Sequence, residues 1–142
     1  MSIHWRRLSG QEWRALLAAG WRLFAVRVGM AILGVAATQR WLARRAPAGT
    51  AVLSDPDPWQ HRVTALSRIA RRLPDTRCLA RSLTLWWWMR AKGLNPHWHL
   101  GVRPGDTKLE GHAWVECDGF LFDETAEGAA TFTRLQWPIE PD

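Results

Sequence analysis

Apolar residues in the N-terminal third of the chain recur with the period of a helix. They follow one another at intervals of three or four residues from Trp13 through Phe24 to Val35, which predicts one buried helical face. Ser9 and Glu12 stand at the spacing of a capping box, in which each residue satisfies a free backbone N–H of the other. The sequence therefore predicts a helix that begins near residue 10.

Breaks in this pattern predict where the first helices end. Gly29 and Gly34 predict a division of the N-terminal region into two helices. Residues 47–57 are rich in Pro, Gly, Ser and Asp, a composition typical of a linker. Apolar residues recur again over residues 57–72, which predicts a further helix that Pro74 ends.

The next helical segment carries a run of tryptophans. Asp75 or Thr76 can cap its start, its pattern extends over residues 77–91, and Gly93 suits the left-handed position that closes a helix. The consecutive tryptophans 86–88 cover about 200° of the helix circumference. We therefore expect other parts of the chain to enclose this helix on most sides.

After Gly93 the hydrophobic period changes from that of a helix to that of a strand. Residues 97–103 alternate between two faces, and residues 108–117 alternate again. Asp118-Gly119 is a strong signal for a two-residue hairpin turn that leads into residues 120–123. Helices followed by an antiparallel sheet of at least three strands predict an α+β fold.

Composition and charge place the chain among single-domain globular proteins. Its 142 residues are 47% hydrophobic, which excludes a disordered chain. The formal net charge of +6 is uneven, with +7 over residues 1–46, +5 over 47–92 and −6 over 93–142. Clustered arginines are typical of proteins that bind nucleic acid. Neither zinc-finger spacing nor an aromatic RNA-binding strand is present in the sequence, so nucleic acid is not the expected partner.

The cysteines and the N-terminus favour a cytoplasmic protein. Cys78 and Cys117 could pair, but the first residues lack the features of a signal peptide, so free thiols in a reducing compartment are expected. The longest uncharged run of the apolar N-terminal region, residues 28–39, has twelve residues. Because a bilayer span needs roughly twenty, a spanning helix is not expected, and contact with a membrane surface is the less favoured alternative.

Cys78 is the first candidate for chemistry. It falls in the first turn of a predicted helix, where free backbone N–H groups and the positive end of the helix dipole favour a thiolate. Most cysteines are buried and inert, so a lone cysteine at a helix start is a weak signal. A nucleophilic thiol also needs a base.

The predicted hairpin supplies that base. A two-residue turn pairs Trp114 with Asp123 and so makes Asp123 a diagonal neighbour of His112 on one face. Glu124 would then point to the opposite face, whereas a bulged turn would bring it into contact with His112. The pattern selects Cys78, His112 and Asp123 as nucleophile, base and orienting acid. A satisfied histidine beside an ordinary turn acid is the structural alternative.

A metal site is another alternative for the histidines. His97 and His99 share one strand face and could join His112. No carboxylate or cysteine stands nearby at a ligand spacing, so no metal is expected.

Taken together, these residues resemble a known family. Residues 77–83, which contain Cys78 in Arg-Cys-Leu-Ala-Arg-Ser-Leu, precede a tryptophan-rich helix, the strand Gly-His-Ala-Trp-Val-Glu at 111–116, and Asp123. Over residues 58–125 this order is similar to that of the B2-type leader peptidases of lasso-peptide biosynthesis. These peptidases are members of the transglutaminase-like superfamily.

The resemblance implies a transglutaminase-like, papain-like cysteine peptidase. Carried over by position, Cys78 would be the nucleophile, His112 the general base and acid, and Asp123 the partner of the histidine. Such a hydrolase removes the leader from a ribosomally synthesised precursor and exposes the amine that a separate cyclase uses. It needs neither a metal ion nor a nucleotide cofactor.

The resemblance also implies a domain organisation and partners. The peptidase core would occupy residues 58–142, after the linker at 47–57 and an N-terminal helical region at 1–46. That region is too short and too helical for a precursor-recognition domain, so a separate B1-type recognition protein is the expected partner. The precursor peptide is the substrate, and the lasso cyclase is a further candidate partner.

Two other functions stay open at this point. Another acyl-transfer enzyme with a Cys-His-Asp triad, such as a transglutaminase or an amidase, would share these residues. A non-catalytic binding module would share the fold without an activated thiol.

Overall fold

Helices precede a four-stranded antiparallel sheet in the computed structural model, which describes residues 9–73 and 78–135. The expected α+β class is confirmed. The helix stop at Pro74 and the cap at Asp75 or Thr76 lie outside the described residues. The helices are α1 (Gly10–Leu33), α2 (Val35–Arg45), α3 (Asp57–Ala70), α4 (Cys78–Ala91) and α5 (Ala126–Ala130). The strands are β1 (His97–Pro104), β2 (Leu109–Cys117), β3 (Phe120–Phe122) and β4 (Thr133–Arg134).

Helix α1 begins and ends at residues that its sequence marks. The Glu12 backbone N–H donates to the Ser9 hydroxyl at 3.2 Å, and the Ser9 N–H donates to the Glu12 carboxylate at 2.7 Å, which completes the predicted capping box. Gly34 adopts a positive φ of 82° and separates α1 from α2. The expected division into two helices is confirmed, and it lies at Gly34, whereas Gly29 lies inside α1.

Helix α1 is apolar on two sides. Ala19, Leu23 and Val26 are buried in the domain, whereas Phe24 and Ile32 are 65% and 74% exposed on the other side. Within the described ranges, α1 is the one helix long and apolar enough to cross a membrane, with a mean hydropathy of 1.6 over an 18-residue window. Of that window, 22% is buried inside the domain.

Helix α4 lies at the centre of the molecule. Its buried residues include Leu83, Trp86 and Met89, none of which is exposed to solvent. Helices α1, α2 and α3 cover one side of α4, and strands β1 and β2 cover another. The enclosure that the three tryptophans predict is therefore confirmed, with Trp87 half-buried at the edge of Trp21.

The sheet has the strand order β3-β2-β1-β4, and its hairpin follows the predicted turn. Asp118 and Gly119 both have positive φ angles, 50° and 85°, as a type I′ turn requires. The turn pairs Cys117 with Phe120 and Val115 with Phe122, which is the predicted register. Strand β4 adds a short fourth strand beside β1.

The segment expected to be a linker is bonded to the rest of the domain. The Gly49 N–H donates to the Leu94 carbonyl at 3.1 Å, and the Leu53 N–H donates to the Asp118 carboxylate at 2.7 Å. The side chain of Leu53 is buried. One hydrophobic cluster also joins residues of α1 to residues of β2. The division into helical region, linker and core stays a prediction.

Gly49 provides a test of this packing. A Cβ on Gly49 would overlap the backbone of Gly93, so Gly49→Ala should lower the free energy of unfolding by about 1–3 kcal/mol. Gly10→Ala is the matched control, because a methyl group there meets nothing within 4 Å. Urea unfolding followed by circular dichroism measures both. A midpoint for Gly49→Ala equal to that of the unaltered protein would contradict the close approach.

The buried thiol of Cys117 predicts a pH dependence of stability. Burial and the adjacent Asp118 carboxylate raise the pKa of this thiol from 9.0 to about 11. Between these pH values the unfolded chain loses the proton that the folded chain keeps, so the free energy of unfolding should fall as pH rises from about 9 to 11. Urea unfolding at a series of pH values should show a smaller fall for Cys117→Ala. Parallel pH profiles for the two proteins would contradict the raised pKa.

Candidate active site

Cys78 is the first residue of α4 and carries a free thiol. Its side chain is half-buried and packs against the hydrophobic core. Backbone N–H groups in the first turn of a helix have no partner within the helix, and their positive partial charges stabilise a nearby thiolate or oxyanion. The thiol thus lies where a nucleophile and a polarised carbonyl oxygen could both be stabilised.

His112 lies in β2, opposite Gly101 of β1. Its imidazole stacks on Trp114, with ring centroids 5.9 Å apart and planes at 22°, and lies 5.5 Å from the ring of Phe132. The side chain is 19% exposed. The aromatic rings fix the imidazole in place and leave part of it open to solvent.

The imidazole Nε2 contacts two residues that follow β3. It lies 3.0 Å from the Asp123 carbonyl oxygen and 3.1 Å from a carboxylate oxygen of Glu124. A carbonyl oxygen and an ionised carboxylate only accept hydrogen bonds, so Nε2 carries the proton. A carboxylate in this position stabilises the positive charge that the imidazole acquires when it takes a second proton.

The carboxylate of Asp123 has a different partner. It accepts a hydrogen bond from Arg81 Nε at 3.0 Å, and its side chain is only 9% exposed. The sequence predicted that the Asp123 carboxylate would orient His112 and that Glu124 would point to the opposite face. The position predicted for Glu124 is wrong, although the register of the hairpin is the predicted one.

The cause is the backbone conformation of Asp123. Its φ is +67°, so the chain leaves the extended conformation there, and the alternation of side chains between faces stops at Phe122. Aspartate is one of the few residues besides glycine that adopt this left-handed conformation readily. The turn sends the Asp123 carboxylate to α4 and the Glu124 carboxylate to His112.

Asp123 therefore connects the helix of Cys78 to His112. Arg81 is three residues after Cys78, on the next turn of α4, and its guanidinium holds the Asp123 carboxylate. The Asp123 carbonyl in turn holds the imidazole of His112. Within the described part of the chain, no hydrogen bond joins Cys78 directly to His112 or Asp123.

Helix α4 and the His112 imidazole, which Asp123 connects, lie on opposite faces of the sheet. Ser82 of α4 accepts a hydrogen bond from Trp98 at 2.8 Å on one face. His112 and Trp114, two residues apart in β2, both lie on the other face, where Phe132 covers them. Strand β3 ends at Phe122 and pairs with β2 only as far as Val115, so the edge of β2 next to His112 is where the two faces meet.

A second histidine–carboxylate pair flanks Trp114. His99 Nε2 lies 3.0 Å from Glu116, and its ring lies 5.7 Å from that of Trp114. Sequence reasoning assigned His99 only as a potential metal ligand, although its position opposite Trp114 makes it a diagonal neighbour of Glu116. Across residues 9–73 and 78–135, no three His, Cys, Asp or Glu side chains form a group able to hold a metal ion.

Gly101 is a further residue that sequence reasoning missed. A Cβ at this position would lie 2.7 Å from Phe132 and 3.1 Å from the ring of Trp114. Trp114 is completely buried, and its indole N–H has no hydrogen-bond partner in the described ranges. The missing side chain of Gly101 lets Trp114 and Phe132 close over this face, next to His112. A glycine in a strand that otherwise alternates was the available signal.

Comparison with known proteins identifies the family. No curated protein and no solved structure matches the chain significantly. The sequence profile described as the transglutaminase-like superfamily matches residues 15–136, which include most of α1 as well as β2, the strand of His112. The chain belongs to the transglutaminase-like superfamily.

Proposed function

We propose that the protein is a cysteine peptidase that removes the leader from a ribosomally synthesised lasso-peptide precursor. The family contains cysteine peptidases and acyl-transferases, and the motifs around Cys78, His112 and Asp123 resemble those of the B2-type leader peptidases. The observation that carries the proposal is the connection through Asp123, which ties the helix of the thiol to the imidazole.

The chemistry is acyl transfer to a thiol and then to water. His112 takes the proton of the Cys78 thiol, the resulting thiolate attacks the carbonyl carbon of the leader–core bond, and the imidazolium returns the proton to the core amine as the C–N bond breaks. His112 then removes a proton from water, which hydrolyses the thioester and frees the leader as a carboxylate. The backbone N–H of Cys78 is the proposed donor to the oxyanion.

This mechanism requires the Cys78 thiol and the His112 imidazole to meet. Catalytic hydrogen bonds often form fully only when substrate binds, and we propose that the contact forms at the edge of β2 beside His112, where β3 leaves the strand unpaired. We propose that a separate B1-type recognition protein brings the precursor, that the cyclase takes the product, and that the reaction occurs in the cytoplasm.

Removing the thiol tests the proposal directly. Cys78→Ala should abolish leader removal when the protein is incubated with precursor and recognition protein, because no other described thiol lies at a helix start. Mass spectrometry measures the intact precursor and the two fragments. Cys117→Ala is the matched control and should retain cleavage. Unchanged cleavage by Cys78→Ala would disprove the proposal, and transfer of the leader to an added amine would indicate an acyl-transferase instead.

Isosteric substitutions distinguish the roles of the two acidic residues beside His112. Asp123→Asn should lower kcat by at least about a hundredfold, because the Arg81 guanidinium loses the charged carboxylate that fixes the Asp123 carbonyl against His112. Glu124→Gln should lower kcat by about tenfold, because the amide oxygen still accepts from Nε2 while the charge is lost.

Steady-state cleavage of the precursor measures both variants, and circular dichroism checks that both are folded. A larger loss for Glu124→Gln than for Asp123→Asn would contradict the role of Asp123. It would show that Glu124 supplies the carboxylate that the imidazolium needs.

A further inference from the structure

A basic groove runs between α1 and α3, remote from the candidate active site. Its volume is about 780 Å³, and it reaches Trp88 in the last turns of α4. Trp88 lies about 15 Å along the helix axis from Cys78. The cationic side chains that line the groove are Arg14, Arg22, Arg62, Arg68 and Lys92.

Two of these arginines share one aromatic surface. The guanidinium carbons of Arg22 and Arg62 lie 4.8 Å and 5.3 Å from the ring centroid of Trp88. Each also lies over a second indole, Arg22 over Trp21 at 4.5 Å and Arg62 over Trp59 at 4.2 Å. The indoles hold both guanidinium groups in fixed positions, so little side-chain entropy is left to lose when a ligand binds.

The positive charge of the groove is not neutralised from within. The groove has one acidic lining residue, Glu12, and its carboxylate accepts a hydrogen bond from the Ser9 N–H in the cap of α1. None of the five cations forms an ion pair with a residue of the described ranges. Burial lowers the pKa of Arg22 and of Arg62, and the charge of Arg62 lowers that of Arg22 further. An anion between the two guanidinium groups would remove this repulsion.

The shape of the groove indicates the class of ligand. Along α1 it extends from Ser9 to Arg22, about 20 Å, which is the length of about six residues of extended chain. On α1 the cations of the groove are Arg14 and Arg22, eight residues apart, and apolar residues such as Leu16 and Ala65 also line it. A single compact anion would use only one part of such a surface, whereas a chain with several carboxylates would use all of it.

We propose that this groove is a binding site for an acidic peptide segment, with the guanidinium groups of Arg22 and Arg62 at its centre. This proposal goes beyond peptidase activity, because the groove and the catalytic residues lie at opposite ends of α4. Its test measures binding alone, so the outcome is independent of whether the protein cleaves a precursor.

Fluorescence anisotropy with a labelled peptide of about six glutamates, the length of the groove, tests the proposal on the full chain. The peptide of glutamine at the same length should bind at least about tenfold more weakly, because it lacks the carboxylates. Arg62→Gln should weaken binding of the glutamate peptide by about tenfold, and Arg62→Lys should restore most of it. Added salt should weaken binding by the unaltered protein.

Arg40→Gln is the matched control, since Arg40 is an exposed arginine of α2 outside the groove. It should change the affinity by less than about twofold. If Arg62→Gln does not fold, the exposed rim variants Arg14→Gln and Lys92→Gln should each weaken binding instead. Equal losses for Arg40→Gln and for the groove variants would overturn the proposal. Tighter binding of a single-stranded oligonucleotide of equal charge would also overturn it, because the groove would then select phosphates.

Discussion

The burial of α4 is the constraint on which the rest of the structure depends. A helix that is apolar around most of its circumference has to be covered on every side, here by three helices and a sheet. Even its polar residues have partners inside the molecule: Thr84 donates to the Ala80 carbonyl at 2.7 Å, and Arg90 donates to the Ala46 carbonyl at 2.6 Å. This packing fixes the position of α4, and it therefore fixes the position of Cys78, the first residue of the helix.

The hairpin shows how far local sequence rules reach. Asp118-Gly119 is sufficient to predict a type I′ turn and, with it, the register of β2 against β3. The rule that side chains alternate between faces then holds only while the backbone stays extended. Asp123 ends that conformation with its positive φ, and an aspartate is compatible both with this conformation and with the last position of a strand. The elements and the contact of His112 with the residues after β3 are therefore predictable, whereas the exchange of the Asp123 and Glu124 carboxylates is not.

Arginine and tryptophan side chains pair repeatedly in the helical half of the molecule. Arg45 lies 4.8 Å over Trp41 and Arg90 lies 4.6 Å over Trp86, in addition to the pairs that line the groove. Such contacts stabilise the guanidinium groups, because the face of an indole carries partial negative charge. Composition indicates an excess of charge, and the three-dimensional pairing shows that four arginines of the helical half lie over indole rings.

Residues 47–57, between α2 and α3, bear on whether the chain could be divided and recombined at this point. Ala51 donates to the Gly93 carbonyl at 3.0 Å, and the hairpin turn 65 residues further along binds Leu53. A segment whose composition is typical of a linker thus lies hydrogen-bonded across the end of α4. Recombination at this point would separate the hairpin turn at Asp118 from the segment that binds it through Leu53. The recombined half would lose the hydrogen bond from the Leu53 N–H to the Asp118 carboxylate.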